Sequence, residues 1–317
     1  MKNNFWLKLK PPIVALAPLA GFTDSAFRQI CHGFGADVLY SEMISAAALY
    51  YGRERGSRSA EKTWDLLKFN RRRERPFVVQ LFGSHPEHFA LAARLVSEKI
   101  KPDGIDINCG CPVPKVMKAG AGAALMSDPP RARAVLEAVL KNTNLPVSLK
   151  IRAAVGSLPA TEFLKNLADL PLSAVMIHAR SLSQSFSGSP DWGAVKKARS
   201  LFKGIILANG GIKDLASARR ALNLSGADGL GLARGALSRP WLFKEIKEGR
   251  ELKFGRAEIF KLILRHAAIV QRLKEPKGLV AWRQHLAYYV KGLAGARKLR
   301  TALVKVTRFK DLKNILS

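Results

Sequence analysis

Residues 204–211, GIILANGG, and residues 229–235, GLGLARG, each join a short apolar β-type run to a glycine-containing turn. Working back from this pair, six more such runs precede them: Ile13 to Ala17, Val38 to Ser41, Phe77 to Leu81, Gly104 to Ile107, Val147 to Ile151 and Ala174 to His178. With Gly204 to Ala208 and Gly229 to Leu232 the total is eight, and helical stretches alternate with them. Phe89, Ala92, Ala93, Val96 and Ile100 fall on one helical face, Ala132, Val135, Leu136 and Val139 on another, and Asp128 before Pro129 reads as an N-cap and first helical residue. Eight βα units predict a closed α/β barrel of the TIM (β/α)8 type.

The alternation stops after Arg239, Pro240 and Trp241. Beyond it Ile259, Leu262, Ile263, Ile269 and Leu273 recur at helical spacing, and Ala296 to Val306 form a further amphipathic stretch. The expected division is a barrel over residues 1–245 and a smaller all-helical domain over 246–317. Between Arg53 and Arg75 the pattern loosens into a segment carrying Arg53, Arg55, Arg58, Arg71, Arg72, Arg73 and Arg75. It reads as a long charged βα loop, and a solvated insertion explains it as well as a functional one.

The chain has 317 residues, of which 48% are hydrophobic, enough for one barrel and an appendage. No apolar run is long enough to span a bilayer, and Met1 to Lys10 lacks a signal-type segment, so a cytoplasmic protein is expected. Fifty-three Lys and Arg oppose 24 Asp and Glu, for a formal net charge of +29 spread along the chain. Such a surface attracts polyanions, and nucleic acid is favoured over the alternative of a host whose proteins are basic in general. The three cysteines, Cys31, Cys109 and Cys111, suggest reduced thiols and not a disulfide framework.

Barrel enzymes carry their chemistry at the carboxyl ends of the strands. After the first run come Pro18, Leu19 and Ala20, small or apolar residues that let a flat ligand approach the backbone. Gln80 ends the third run, Lys150 and Arg152 the fifth, and His178 and Arg180 the sixth; Asn209, Gly210 and Gly211 follow the seventh, and Ala233, Arg234 and Gly235 the eighth. Turns at the seventh and eighth strands are where barrels often bind phosphate, and Arg234 can add a charge-assisted bond. The fourth run ends in Asn108, Cys109, Gly110, Cys111 and Pro112. Cys-x-Cys without a second pair or a histidine cluster makes zinc a poor reading, and no metal is expected. Cys109 reads as a packing residue, and Cys111, where strand gives way to loop, as the thiol available for chemistry.

These residues resemble the tRNA-dihydrouridine synthase family. The likeness runs through Ala17 to Asp24, Ser41 to Met43, Asp106 to Lys115 with Gly120 to Gly122, His178 to Trp192, and Lys291 to Arg300. It implies an FMN-binding barrel with a C-terminal helical domain that helps hold tRNA. By position, Cys111 resembles the catalytic cysteine. Pro18, Leu19, Ala20, Gln80, Lys150, His178, Asn209, Gly210, Gly211, Ala233 and Arg234 fall where the family contacts FMN. Asn108, Lys115 and Arg180 resemble residues near the substrate base or its phosphates. Ala233 replaces a glycine common before the arginine, and Leu182 stands where an arginine is common.

The implied reaction reduces uridine in the D-loop of tRNA to 5,6-dihydrouridine, with NADPH or NADH as reductant. A hydride adds at C6 and a proton at C5. A free thiol is mostly protonated at neutral pH, which suits Cys111 as general acid. A monomer is expected. Two other readings compete: a small-molecule flavoenzyme of the dihydroorotate or dihydropyrimidine dehydrogenase type, which would not call for +29, and a tRNA-binding protein or chaperone with secondary catalysis.

Overall fold

The computed structural model describes residues 4–55, 58–273 and 277–316, without the side chains of 53–61 and 277. Its centre is a closed parallel barrel. The strands are β1 (Ile13–Leu16), β2 (Val38–Ser45), β3 (Phe77–Phe82), β4 (Gly104–Asn108), β5 (Val147–Val155), β7 (Ala174–Ser181), β8 (Ile205–Asn209) and β9 (Gly229–Leu232). A two-residue strand, β6 (Leu158–Pro159), folds back antiparallel on the end of β5. The order is β1-β2-β3-β4-β5-β7-β8-β9, with β9 paired to β1 and β4 to β5, so the sheet has no open edge apart from β6. The (β/α)8 barrel read from the sequence is the observed architecture.

Period-two alternation sorts the side chains into layers. On β4, Ile105 and Ile107, with Cys109 just past its end, point outward into the core shared with the surrounding helices, as do Val147, Leu149 and Ile151 on β5 and Val175, Ile177 and Ala179 on β7. The lumen is filled from below by Trp6, Ile13, Ala15, Val38, Tyr40, Val78, Ala174, Met176 and Leu207. Trp6, fully buried in the short 3-10 turn Phe5–Lys8, belongs to this inner cluster. The barrel interior is therefore packed, and open space begins only at the carboxyl ends of the strands.

The helices obey the sequence signals. Asp128 caps the helix Pro129–Lys141 by accepting from the Arg131 N–H at 3.1 Å, and Ala132, Val135, Leu136 and Val139 are buried beneath it. Asp214 and Ser217 form a reciprocal capping box at the helix Leu215–Ser225.

The arginine-rich segment departs from expectation. It is not a long loop: the helices Ala46–Arg55 and Arg58–Leu66 occupy most of it. The side chains of Arg53, Arg55 and Arg58 lie outside the described residues. Arg71 and Arg75 sit below the barrel, Arg71 donating to the Ile100 carbonyl at 3.0 Å and Arg75 pairing with Asp103 at 2.5 Å, just before β4 begins. The segment is organised by an acid, not by its arginines. Glu74, fully buried, pairs with Arg28 at 2.6 Å and also accepts from the Asn70 N–H and the Ser25 hydroxyl. Removing either partner of such a pair costs about 3–5 kcal/mol.

Beyond β9, the helix Leu242–Glu248 gives Leu242, Phe243 and Ile246 to the barrel core. Helices Arg256–Leu273, Lys277–Tyr289, Ala296–Leu303 and Phe309–Leu316 build a second core around Ile259, Leu262, Ile263, Val270, Trp282 and Leu303. Ala26 and Ile30, on the first barrel helix, belong to this second core, so the bundle is docked on the barrel through apolar contact. Gln284 donates to the Gly21 carbonyl, which ties the bundle to the loop after β1. Among the described residues, no helix is long and apolar enough to cross a membrane.

Candidate active site

A cavity of about 610 Å3 opens at the carboxyl end of the barrel. That size lies within the usual range for small-molecule and cofactor pockets. Of the residues singled out from the sequence, Pro18, Leu19, Ala20, Gln80, Asn108, Cys111, Lys150, His178, Asn209, Gly210, Gly211, Ala233 and Arg234 all line it. Lys115 and Arg180 do not. Lys115 is exposed on the helix Pro114–Lys118, and Arg180 lies buried behind the wall.

The inward-facing polar residues form a connected network at the cavity floor. Asp106, fully buried, accepts from Gln80 Nε2 at 2.8 Å and from the Ser148 hydroxyl at 2.7 Å. The Gln80 carbonyl oxygen accepts from Asn108 Nδ2 at 3.0 Å, and Asn108 Oδ1 in turn accepts the backbone N–H groups of Gly110 and Cys111, at 3.1 and 3.0 Å. Asn108 thereby sets the turn that aims Cys111. Burial raises the Asp106 carboxyl to about 6, against the lowering effect of its two hydrogen bonds. Gln80 and Asn108 are thus fixed in orientation from beneath, each with its amide already engaged.

Cys109 and Cys111, two residues apart, would share a face if the strand ran on; β4 ends at Asn108, and the turn held by the Asn108 side chain sets the two thiols apart. Cys109 is fully buried in the outer core, and burial pushes its thiol well above the ordinary cysteine range. Cys111 is partly exposed and faces the cavity. Its carbonyl accepts from the Ala123 N–H at 3.0 Å, and a Cβ on Gly122 would stand 2.7 Å from that oxygen. The glycine at position 122, with φ +62°, is what lets the returning loop press on Cys111.

Opposite Cys111, Lys150 Nζ donates to Asn209 Oδ1 at 3.3 Å, and Asn209 Nδ2 donates to the Gly231 carbonyl at 2.7 Å. Burial lowers the Lys150 ammonium to about 8, and nearby Asp106 partly opposes the shift. His178 is held at about 2, first by burial and then by Lys150, Arg152, Arg180 and Arg234, so its ring is neutral at any physiological pH. Lys150, Arg152, Arg180 and Arg234 together make the surroundings of His178 electropositive, a setting that favours an anion.

The turn after β8 is shaped for close approach. Gly210 has φ +107°, and a Cβ there would lie 2.5 Å from His178 Cδ2; Gly211 has φ +69°, with Pro190 at 2.7 Å from its Cβ position. Arg180 is held behind this turn by the carbonyls of Ser187 and Gly188, at 2.9 and 3.0 Å, while its buried Nη1 has no hydrogen-bond partner among the described residues. Arg234 lies over the Phe186 ring at 4.6 Å.

Several lining residues escaped the sequence reading. Met43 on β2, Phe186 and Lys291 stood inside quoted motifs but were not singled out as lining residues, and Lys213 and Tyr288 reach the cavity from a loop and from the helical bundle, where no local pattern announces them. Arg152 was noted only as ending the fifth apolar run, and it lies within β5. It lines the cavity and holds the Cys111 loop by donating to the Gly110 carbonyl at 2.9 Å.

Comparison with known proteins agrees with this geometry. The family model described as dihydrouridine synthase matches residues 15–317. The probable tRNA-dihydrouridine synthase of Aquifex aeolicus (strain VF5) is 34% identical over 310 residues, covering 96% of this chain and 95% of that protein. The probable tRNA-dihydrouridine synthase of Rhodobacter capsulatus is 35% identical over 312 residues, covering 95% and 92%. Among solved structures, TcOYE with pHBA has a TM-score of 0.56 at 11% identity, covering 83% of this chain and 95% of that one. The complex of 2-naphthoyl-CoA reductase with 2-naphthoyl-CoA has a TM-score of 0.58 at 12% identity, covering 75% and 50%. These two share the fold, whereas the family model and the relatives follow the sequence itself almost end to end: this chain belongs to the dihydrouridine synthase family.

Proposed function

We propose that this chain reduces uridine in the D-loop of tRNA to 5,6-dihydrouridine, using FMN at the barrel mouth and Cys111 as proton donor. The observation that carries the reading is the convergence on one cavity of a partly exposed thiol, a lysine–asparagine pair and a cationic glycine turn, in a member of this family. What supports FMN is the fit of the residues. Gly210 and Gly211 bring bare backbone to the surface where a phosphate can approach, and the Nη1 of Arg180, unpartnered among the described residues, lies beside them. Pro18, Leu19, Ala20 and Ala233 would flank a flat ring, and Gln80, Lys150 and Asn209 would meet its polar edge.

When bound and reduced by NADPH or NADH, FMN supplies the hydride that adds at uracil C6. The protein supplies the rest. Cys111 gives its proton to C5 and regains one from solvent. Asn108 keeps the thiol aimed by holding the backbone of Gly110 and Cys111. Lys150 places positive charge beside the reacting rings, where negative charge develops. The neutral His178 can donate one hydrogen bond without adding a further cation. The base must leave its stack to enter, at a cost of a few kcal/mol. The basic face of residues 291–313, with Arg297, Lys298, Arg300 and Lys305, would hold tRNA phosphates to offset that cost. The enzyme is expected to act in the cytoplasm as a monomer. Purified protein should be yellow and release FMN, not FAD, on denaturation; a colourless protein that FMN cannot reconstitute would contradict the flavin assignment.

A further inference from the structure

Outside the cavity, the catalytic face carries an aromatic cluster that the mechanism does not use. The helix Ala46–Arg55 starts directly at the carboxyl end of β2, where the Ser45 hydroxyl caps it by accepting the Ala48 N–H at 3.1 Å. Its neighbour Pro86–Leu95 starts just after β3. Between these helix starts, Tyr50 and Tyr51 meet His88, with ring centroids 4.4 and 5.2 Å apart, and His85 lies 4.9 Å from His88. His88 is buried, and burial lowers the affinity of its ring for a proton. Tyr51 is 60% exposed, unusual for a ring so well buttressed.

The cluster adjoins the Cys111 loop. Ser84, one residue before His85, stands 3.2 Å from where a Cβ on Gly120 would lie, and Arg131 Nη1 stands 3.1 Å from the same point. That loop carries Lys115 and Lys118, both exposed, and begins at Val113, which is 46% exposed and lines the cavity. A continuous rim thus runs from the cavity mouth through two lysines and Arg131 to the exposed Tyr51 ring. Among the described side chains, Glu87 and Asp128 are acids beside it, Asp128 already paired with Arg131 at 3.2 Å. Aromatic rings interleaved with cations are the chemistry that holds unpaired nucleic acid: phosphates follow the charge and bases stack on the rings.

We infer that Tyr51, seated on Tyr50 and His88, is a stacking platform for an unpaired base of the tRNA substrate, whose phosphates track Lys118 and Lys115. The inference rests on the tRNA reading above. It gives the tRNA a second hold, away from the helical bundle, and two separated holds fix its orientation over the cavity.

The test is binding of unmodified tRNA at several salt concentrations to wild type, Tyr51→Ala, Tyr51→Phe and Lys118→Ala, all carrying flavin. Loss of a stack is sequence-tolerant and uncharged. Tyr51→Ala should therefore weaken binding about tenfold at every salt concentration without changing the log K against log salt slope, and Tyr51→Phe should match wild type. Lys118→Ala should flatten the slope by about one unit. KM for tRNA should rise in Tyr51→Ala while NADPH oxidation in the absence of tRNA is unchanged, which separates this role from a folding defect. Wild-type affinity in Tyr51→Ala, or equal losses in Tyr51→Ala and Tyr51→Phe, would overturn the platform while leaving the proposed function intact. A wild-type protein that fails to bind tRNA would remove the proposed function, and the platform with it.

Discussion

Raising the pH from 7 to 9 should weaken FMN binding roughly tenfold, through one lysine. With its ammonium lowered to about 8 by burial, Lys150 in the flavin-free protein is roughly nine-tenths charged at pH 7 and roughly one-tenth charged at pH 9. An anionic cofactor beside it favours the charged form, so binding takes up a proton above pH 8 and affinity falls with each further pH unit. The sign for folding is the reverse. Below pH 8 the fold carries a charge it prefers to lose, and because the unfolded lysine titrates near ~10.4, stability from this group rises as pH climbs from about 8 to about 10.4. Lys150→Met should therefore stabilise the flavin-free protein at pH 7 by about 1–3 kcal/mol, part of the burial cost being screened at the open cavity mouth. The assay is fluorescence titration of flavin-free protein with FMN between pH 7 and 9. Running it also in Cys111→Ala removes any contribution from that thiol, and His178, neutral throughout, adds none. A flat profile in wild type, or an unchanged slope in Lys150→Met, would refute the role given to this lysine.

Gly210→Ala should cost about 1–3 kcal/mol of stability and most flavin retention, because φ +107° and a Cβ 2.5 Å from His178 leave no room for a side chain; a stable, yellow variant would contradict the cradle. Cys109→Ala should lower the melting temperature slightly, since it removes one buried sulfur from the outer core, yet turn over normally. Loss of dihydrouridine formation in Cys109→Ala at full flavin content would mean the acid was assigned to the wrong thiol. Arg297→Ala with Arg300→Ala should flatten the salt dependence of tRNA binding by roughly one to two units and leave NADPH oxidation unchanged. An unaltered slope would remove the bundle face from the interface.

How far the site could be read in advance follows from where each residue sits. The strands were legible because their outward faces are continuous apolar runs, and the lumen-facing polar residues were legible in the same segments: in Gly104–Asn108, GIDIN, alternation alone puts Asp106 and Asn108 on one face and the isoleucines on the other. Glycine turns after β8 and β9 marked the phosphate side for the same local reason. Asp106 itself was passed over, although its hydrogen bonds to Gln80 and Ser148 join three different strands. Nothing local reports such a network. Lys115 and Arg180 were set near the substrate base or its phosphates by position in a motif; neither lines the cavity, the first being exposed on the helix Pro114–Lys118 and the second held behind the wall by the carbonyls of Ser187 and Gly188. The arginine-rich segment hid two helices because it was read for charge, while the residue that organises its end is the buried Glu74. Tyr288 and Lys291 reach the cavity only because the bundle docks on the first barrel helix, a contact between residues more than 250 positions apart.

The most direct measurement is to incubate purified protein with FMN, NADPH and unmodified tRNA and to locate dihydrouridine in the product by mass spectrometry of nuclease fragments. Wild type should place dihydrouridine in the D-loop, while Cys111→Ala should keep its flavin, still oxidise NADPH and form almost none. NADPH oxidation by wild type with no dihydrouridine in the tRNA, or undiminished dihydrouridine from Cys111→Ala, would contradict reduction of tRNA uridine with Cys111 as its acid.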